Sequence, residues 1–303
     1  MDLSVIIVNY NTKKLLENCL KSIFKFSKNV NFEVIMVDNG SKDNSQQMVK
    51  TKFPQVKLIP NRDNLGFAKA NNQGIRVAKG KYVLLLNSDT YLVENSFKKI
   101  VENANQLENL GVIGPLLLNE DKSIQQSVGF FPHLPQIFFW MTFMDDLPGG
   151  TTLKPYHIDH ESFYKQSFSS NKNHKEVDWV TGAAFLVPKK VINGIGPLDD
   201  EIFMYGEDVE WCYRIKKAGY NVYFSPETKI VHIGGGSMKK NRTRAYVGEF
   251  RGIKYFYSKH KGKFSLQIAR LLLKMGALLR ILIFGVLGRG ELAKSYVEAF
   301  KMA

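Results

Sequence analysis

The chain has 303 residues, 44% hydrophobic and 23% charged, with 24 glycines and 10 prolines, which excludes collagen-like, low-complexity and disordered chains and suits two domains or one large α/β domain with an appendage. Two cysteines, Cys19 and Cys212, are too few for a disulfide scaffold, so a reducing compartment is expected. The formal charge of +14 is uneven: residues 229–303 carry 16 Lys and Arg against three acids, a net +13, and residues 1–228 carry 26 against 25, so the basic end calls for a polyanion such as nucleic acid, an anionic membrane surface or a phosphate-rich substrate.

The chain opens on an apolar run, residues 3–8, without the basic leader and longer apolar stretch of a signal peptide, so export is not expected. Residues 3–8, 32–37 and 81–86 are short aliphatic runs bounded by polar turn residues, and they read as buried parallel strands. Between them, residues 13–26 carry Leu15, Leu16, Cys19, Leu20 and Ile23 at helical spacing, and residues 66–78 carry Phe67, Ala70, Gly74 and Val77 in the same way. Alternating strand and helix predicts an open doubly wound α/β sheet, whose ligands bind at the carboxyl ends of its strands. Those ends read Asn9-Tyr10-Asn11, Asp38-Asn39-Gly40-Ser41 and Asn87-Ser88-Asp89. Residues 130–178, with several prolines and glycines and weak periodicity, read as an insertion or lid. A second ordered block runs from Asp178 through Glu207-Asp208 to His232, and basic helices follow.

Taken singly, Asp38 and Asp89 read as caps or turn residues; together, on neighbouring strand ends, they read as a site for one nucleotide. Glu207-Asp208 opens an amphipathic stretch and either complements a helix dipole or, among Phe203, Tyr205 and Trp211, supplies a carboxylate of raised pKa suited to general-base work. His232 precedes Gly234-Gly235-Gly236-Ser237 and the cations Lys239, Lys240, Arg242 and Arg244. It reads either as structural or as a metal ligand beside a loop able to close on a diphosphate. No P-loop and no glycine-rich dinucleotide fingerprint follows a strand.

These motifs together resemble the GT-A-fold glycosyltransferases of family 2, especially the bacterial rhamnosyltransferase-like branch that builds cell-surface polysaccharides. The resemblance rests on Val-Ile-Ile-Val-Asn-Tyr-Asn at 5–11, Val-Asp-Asn-Gly-Ser at 37–41, Asn-Leu-Gly-Phe-Ala-Lys-Ala-Asn-Asn-Gln-Gly at 64–74, Leu-Leu-Asn-Ser-Asp at 85–89, Val-Thr-Gly-Ala-Ala-Phe-Leu-Val at 180–187, Phe-Met-Tyr-Gly-Glu-Asp-Val-Glu-Trp-Cys-Tyr-Arg at 203–214, and His232. It implies a GT-A-type open, mostly parallel doubly wound sheet with a C-terminal helical, basic-amphipathic extension. The transferase unit would be 1–237, with a nucleotide-binding half at 1–118, a lid or insertion at 119–177 and an acceptor and catalytic half at 178–237; the basic tail would be 238–303.

The activity implied is inverting, metal-dependent, non-processive transfer of one sugar. The donor would be a nucleotide-diphosphate sugar, dTDP-rhamnose first and UDP-sugars next, and the acceptor a hydroxyl of a glycan or polyprenyl-linked glycan in cell-surface polysaccharide synthesis. Asn9, Asp38, Asn64 and Asn87 would line the nucleotide pocket, Asn87 departing from the first Asp of the family's D-x-D-like motif. Asp89 and His232 would hold Mg²⁺ or Mn²⁺, Asp208 would be the base, Gly182, Ala183, Glu207 and Trp179 would border the donor sugar and acceptor, and Lys239, Lys240 and Arg242 would face the diphosphate. The processive members' Q-x-x-R-W motif is missing, since Gln267-Ile-Ala-Arg270 is followed by Leu271.

Within the tail, residues 264–287 are strongly apolar, but Arg270, Lys274 and Arg280 interrupt them and the longest uncharged run, 281–287, is far short of the roughly 20 residues that span a bilayer. The segment reads as a helix lying in an anionic membrane surface, which would make the protein peripheral on the inner face of the cell membrane, or as a helix packed on the core or on a second copy of the chain. The aromatic stretch 138–144 joins it at the lipid or fills the lid's core. Two rivals remain. A nucleic-acid-binding protein would leave the neutral α/β body unexplained and would interleave its cations with base-stacking aromatics, so no nucleic acid is expected as partner. An inactive sugar-nucleotide-binding relative is separated only by assay.

Overall fold

The computed structural model describes residues 1–147, 153–166, 174–234 and 242–303. In chain order the elements are β1 (Leu3–Asn9), α1 (Lys13–Phe26), β2 (Phe32–Asp38), α2 (Ser45–Lys52), β3 (Lys57–Pro60), α3 (Phe67–Val77), β4 (Tyr82–Asn87), β5 (Thr90–Leu92), α4 (Ser96–Gln106), β6 (Leu110–Leu118), β7 (Ile124–Gln125) and β8 (Val128–Gly129). They continue with α5 (Leu134–Met141), α6 (Glu161–Gln166), β9 (Lys175–Val177), β10 (Trp179–Val180), β11 (Ala184–Pro188), α7 (Lys189–Ile195), α8 (Glu207–Lys217), β12 (Asn221–His232), α9 (Arg242–His260), α10 (Gly262–Val286) and α11 (Gly290–Met302).

The main sheet has the order β3-β2-β1-β4-β11-β6-β12-β5. β1, β2, β3 and β4 are parallel neighbours, as are β6 and β12, whereas β11 runs antiparallel between β4 and β6. The open, mostly parallel doubly wound sheet expected from the sequence is therefore present, with an antiparallel strand at its centre. Alternate residues of each strand enter opposite layers, as the two-residue period of a strand requires. Ile6, Ile35, Val37, Val83 and Leu85 face one core, with Ala68, Ala70 and Ile75 of α3 and Ile215 of α8. Val5, Ile7, Val34, Met36, Leu84 and Leu86 face the other, with Leu16, Cys19, Leu20 and Ile23 of α1. On α1 these four residues recur at helical spacing, which is why one stripe of that helix is buried.

Residues 119–177 hold more regular structure than their weak periodicity suggests, because the strands there are only two or three residues long and α5 has eight. Val128, Ile137, Met141, Tyr156, Ile158 and Tyr164 join the core on the α3 side. Phe250, Ile253, Phe256, Tyr257, Ala269, Leu273, Ala277, Tyr296 and Ala299 of α9, α10 and α11 belong to the same core, and the Tyr257 hydroxyl donates to the Pro132 carbonyl at 2.7 Å. One side of the tail is thus packed on the body. No helix among the described residues is long and apolar enough to cross a membrane.

Candidate functional site

Parallel pairing sets Asn9 opposite Asp38, and Val8 opposite Asn87, so the carboxyl ends of β1, β2 and β4 share one edge. Asp38 is fully buried there. Its Oδ2 accepts from Asn9 Nδ2 at 2.9 Å, and its Oδ1 accepts from the Ser41 N–H at 2.9 Å and from Gln46 Nε2 at 2.8 Å. The carboxylate of Asp38, expected to contact the nucleotide, also braces its own strand end. It holds the 39–41 turn, Gln46 and Asn9, and the exposed groups beside it are Tyr10 and Asn11, with Ser41 partly exposed. Asn9 is buried too, and its Oδ1 accepts from Thr12 Oγ1 at 2.6 Å, which in turn lies 2.9 Å from Ser88 Oγ. Asn64 is exposed, and its Oδ1 accepts from the Gly66 N–H at 3.0 Å and from Asn39 Nδ2 at 3.2 Å. Gly66 has φ +87°, and a side chain there would strike the Phe203 carbonyl oxygen at 2.7 Å, so glycine is what allows the 64–66 loop to lie against the 203–206 turn.

A second cluster forms where β5 pairs with the end of β12, setting Thr90 opposite His232. Gln125 on β7 donates from Nε2 to Asn119 Oδ1 at 2.9 Å and to the His232 carbonyl at 3.1 Å, so its Oε1 faces His232 Nδ1 at 2.6 Å and accepts from it. A neutral imidazole donating from Nδ1 keeps a lone pair on Nε2. That nitrogen lies 3.2 Å from Asp89 Oδ1 and 3.4 Å from Asn87 Nδ2. A protonated ring would pair with Asp89 directly; a neutral one leaves two acceptors facing each other, an arrangement that a cation reconciles, and the ring is oriented by the kind of outer hydrogen bond that metal-binding histidines carry. Among the described residues no group of three or more His, Cys, Asp and Glu could hold a metal. Asp89 and His232 would accordingly be the protein's share of a Mg²⁺ or Mn²⁺ shell completed by substrate oxygens and water, which is the habit of hard ions at diphosphates.

The third centre is the start of α8. Tyr205 and Gly206 both have positive φ, +72° and +92°, and turn the chain so that Glu207 and Asp208 fall in the first helical turn. Asp208 is partly exposed. Its Oδ2 accepts from the Gly182 N–H at 2.9 Å and its Oδ1 from the Val209 N–H at 2.8 Å. Burial raises the Asp208 pKa, while those backbone donors and, more weakly, His157 pull it back. Glu207 is buried with Oε2 unpartnered, and burial followed by the charge of Asp208 pushes its pKa up to about 8. Of the two neighbours, Glu207 is therefore the one pushed further toward holding a proton. The Ala183 carbonyl accepts from the Asn87 N–H at 2.9 Å. The step Gly182-Ala183 thus joins the strand end that carries Asn87 to the carboxylate of Asp208.

Other expected residues sit elsewhere. Ala183 is buried and touches strand β4 through its backbone, next to the partly exposed Gly182. Trp179 is nearly buried, with its indole N–H donating to the Phe130 and Tyr156 carbonyls at 3.0 and 3.1 Å, so it holds the 153–160 segment in place. Arg242 is exposed at the start of α9, and Lys239 and Lys240 lie outside the described residues. Three residues escaped the sequence reading. Gln125 orients His232, and His157 Nε2 lies 2.5 Å from Glu249 Oε1 on α9. The His157 ring lies tilted 4.2 Å from that of Tyr156 and edge-on 5.5 Å from that of Trp179, near enough to Asp208 to pull on its pKa.

Residues 4–164 match the family model described as glycosyl transferase family 2. The chain is 26% identical over 245 residues to N-acetylglucosaminyl-diphospho-decaprenol L-rhamnosyltransferase of Mycobacterium tuberculosis, covering 76% of this chain and 75% of that protein. It is 27% identical over 237 residues to the dTDP-rhamnosyl transferase RfbF of Shigella flexneri, covering 77% and 70%. Among solved structures it is similar to GalNAc-T7 with UDP, GalNAc and Mn²⁺, with a TM-score of 0.61 and 16% identity over 85% of this chain, and it spans 48% of that longer chain.

Proposed function

Because the chain belongs to glycosyl transferase family 2, we propose that this glycosyltransferase moves a single sugar, with inversion, from a nucleotide-diphosphate sugar to a hydroxyl of a lipid-linked glycan. The observation that carries the reading is the Gly182-Ala183 step, which ties the carboxylate of Asp208 to the strand end beside Asp89 and His232. Asp208 takes the proton of the acceptor hydroxyl, whose oxygen bonds to the anomeric carbon from the face opposite the nucleotide diphosphate. The bond from that carbon to the diphosphate oxygen breaks, and the configuration inverts. Asp89 and Nε2 of His232 would hold Mg²⁺ or Mn²⁺, which would offset the negative charge on the leaving diphosphate. Asn64 and the 9–11 and 39–41 loops, braced from beneath by Asp38, receive the nucleotide. Glu207, kept neutral, lends the pocket no second charge to compete with Asp208.

Rhamnose from dTDP-rhamnose is the first sugar to test, since two of the relatives are named for rhamnosyl transfer. A diphospho-polyprenol acceptor is named for one of them, which supports placing the enzyme at the inner face of the membrane. The test is a panel of sugar nucleotides scored for donor hydrolysis and for transfer to a synthetic polyprenyl-diphosphate sugar, with wild-type protein and Asp208→Asn. The amide keeps shape but takes no proton, so donor binding should persist while transfer falls about 10²- to 10⁴-fold. Near-normal transfer by a folded Asp208→Asn protein would remove Asp208 from the role of base. Turnover undiminished in EDTA would remove the metal.

A further inference from the structure

We propose that the bare side of α10, together with the cations beside it, is a docking face for the surface of an anionic bilayer. The inference deepens the reading above, which already puts the acceptor in a membrane, and it can fail separately from it.

α10 has 25 residues, about 37 Å at 1.5 Å per residue. Ala269, Leu273, Gly276, Ala277 and Arg280 face the protein, and a side chain at Gly276 would strike Met141 at 2.3 Å, so α10 lies close along α5. The opposite side carries Phe264, Leu271, Met275, Leu278, Leu282 and Val286, spaced seven, four, three, four and four residues apart, hence one continuous stripe. Phe264 is 80% exposed, Leu282 67% and Val286 89%. Between residues 264 and 286 Gln267 is the sole exposed polar residue. The segment packed along α10 adds the exposed Phe138, Met144 and Leu147, with Phe143 edge-on to Phe284. Single exposed apolar residues need no explanation; a stripe of this length does.

Charge identifies the occupant. Arg251 and Lys254 of α9 lie near Arg270 and Lys274 of α10: the Lys254 pKa is lowered first by burial and then by Arg270, Lys274 and Arg251. Among the described residues none of the four forms an ion pair with a carboxylate. A second copy of the chain docked through the stripe would bring the +13 quarter of one molecule against that of the other. A nucleic acid would answer the cations and leave six apolar side chains in water. An anionic bilayer answers both, acyl chains for the stripe and phosphates for the cations, without requiring a helix to span it.

The test is co-sedimentation of the full chain with vesicles of phosphatidylcholine alone and with added phosphatidylglycerol. The protein should follow the anionic vesicles, with binding that falls at high salt and does not vanish. Arg270→Gln/Lys274→Gln should weaken the partition about 30-fold at low salt, at about fivefold per basic residue. Leu271→Ser/Leu282→Ser should abolish the salt-resistant part, and both variants should stay folded, since Leu271 and Leu282 are exposed and Arg270 and Lys274 are only half-buried. Wild-type protein that ignores phosphatidylglycerol vesicles, or variants that bind like wild type, overturn the proposal. So does a dimer that Leu271→Ser/Leu282→Ser converts to monomer with vesicle binding unchanged, since a second copy then covers the stripe, or salt-sensitive retention of DNA in place of vesicles. Donor hydrolysis in solution reports separately: its absence beside intact vesicle binding counts against the transferase reading and leaves the docking face standing.

Discussion

Alanine at Gly252, a residue of α9 far along the chain from any motif, is expected to slow transfer by about 10- to 100-fold. Gly252 lies against the turn that leads into Asp208: an added Cβ would stand 2.7 Å from the Tyr205 carbonyl oxygen and 3.2 Å from Gly206 Cα. Ordinary contacts of this kind are about 3.5–4.0 Å, so helix and turn must part by about 1 Å. Both obstructing atoms are backbone and cannot rotate aside, and the turn, left-handed at two successive residues, has few other conformations. Alanine in a helix gains about 1 kcal/mol over glycine. Overpacking costs about 1–3 kcal/mol, so the net loss of stability is roughly 0–2 kcal/mol, a melting shift of a few degrees. Activity is the sharper readout, because misplacing a catalytic group by 1 Å can cost about 100-fold. The assay is the rate of sugar transfer at saturating donor and acceptor, with the melting midpoint, for Gly252→Ala beside Gly194→Ala. A Cβ at Gly194, in α7, meets nothing within 4 Å, so that variant should melt no lower and transfer normally. Gly252→Ala protein that transfers like wild type would refute the idea that α9 sets the position of the base.

Two further expectations concern ionisation and metal. In the fold Glu207 holds, up to about pH 8, a proton that the unfolded chain releases near 4.5; the stability this group contributes is therefore complete below about 4.5 and is lost as the pH rises through 8. Glu207→Gln, which fixes the neutral form, should gain on wild type in urea midpoint as the pH is raised from 5 to 9, and a difference that is flat or shrinks with pH contradicts the assignment. Gln125→Leu removes the acceptor that orients His232 and should raise the Mn²⁺ or Mg²⁺ concentration for half-activation about 10- to 100-fold, with Gln125→Glu restoring it; an unchanged activation constant would leave His232 without a metal role.

Strands and helices with a clean period were legible to within a residue or so. The runs at β1, β2 and β4 are uninterrupted aliphatic segments buried on both faces, and α1 carries one apolar stripe. β6 was not legible, although it lies in the middle of the sheet, because Gly111, Gly114 and Pro115 interrupt its pattern. Pro115 cannot donate to the ladder, and the pairing with β12 slips beside it, between Ser225 and Lys229. The antiparallel direction of β11 is likewise a tertiary fact: nothing in Ala184–Pro188 distinguishes it from a parallel strand. The insertion hid its elements by being cut into pieces shorter than any period can reveal.

The site divides along the same line. Asn9, Asn87, Asp89, His232 and Asp208 could be picked out because each closes a strand or follows one within two residues, or opens a helix, positions where topology alone brings polar groups to one edge. Gln125, His157 and Glu249 could not, because their roles come from partners about a hundred residues away, on a two-residue strand, an irregular segment and an ordinary-looking basic helix. That helix also alters how the charge asymmetry of the sequence is understood. A neutral first three quarters and a +13 remainder suggest a catalytic body with a separable basic appendage. Yet α9 carries Glu249 to His157 and Gly252 to the turn before Asp208, pairs Lys259 and His260 with Glu210 of α8, and packs on α10 and α11 as well. Asp208 and the bare stripe of α10 are consequently joined through one packed helical layer, and a lipid surface meeting the stripe would be held at a set distance from the carboxylate that we propose acts on a lipid-linked hydroxyl.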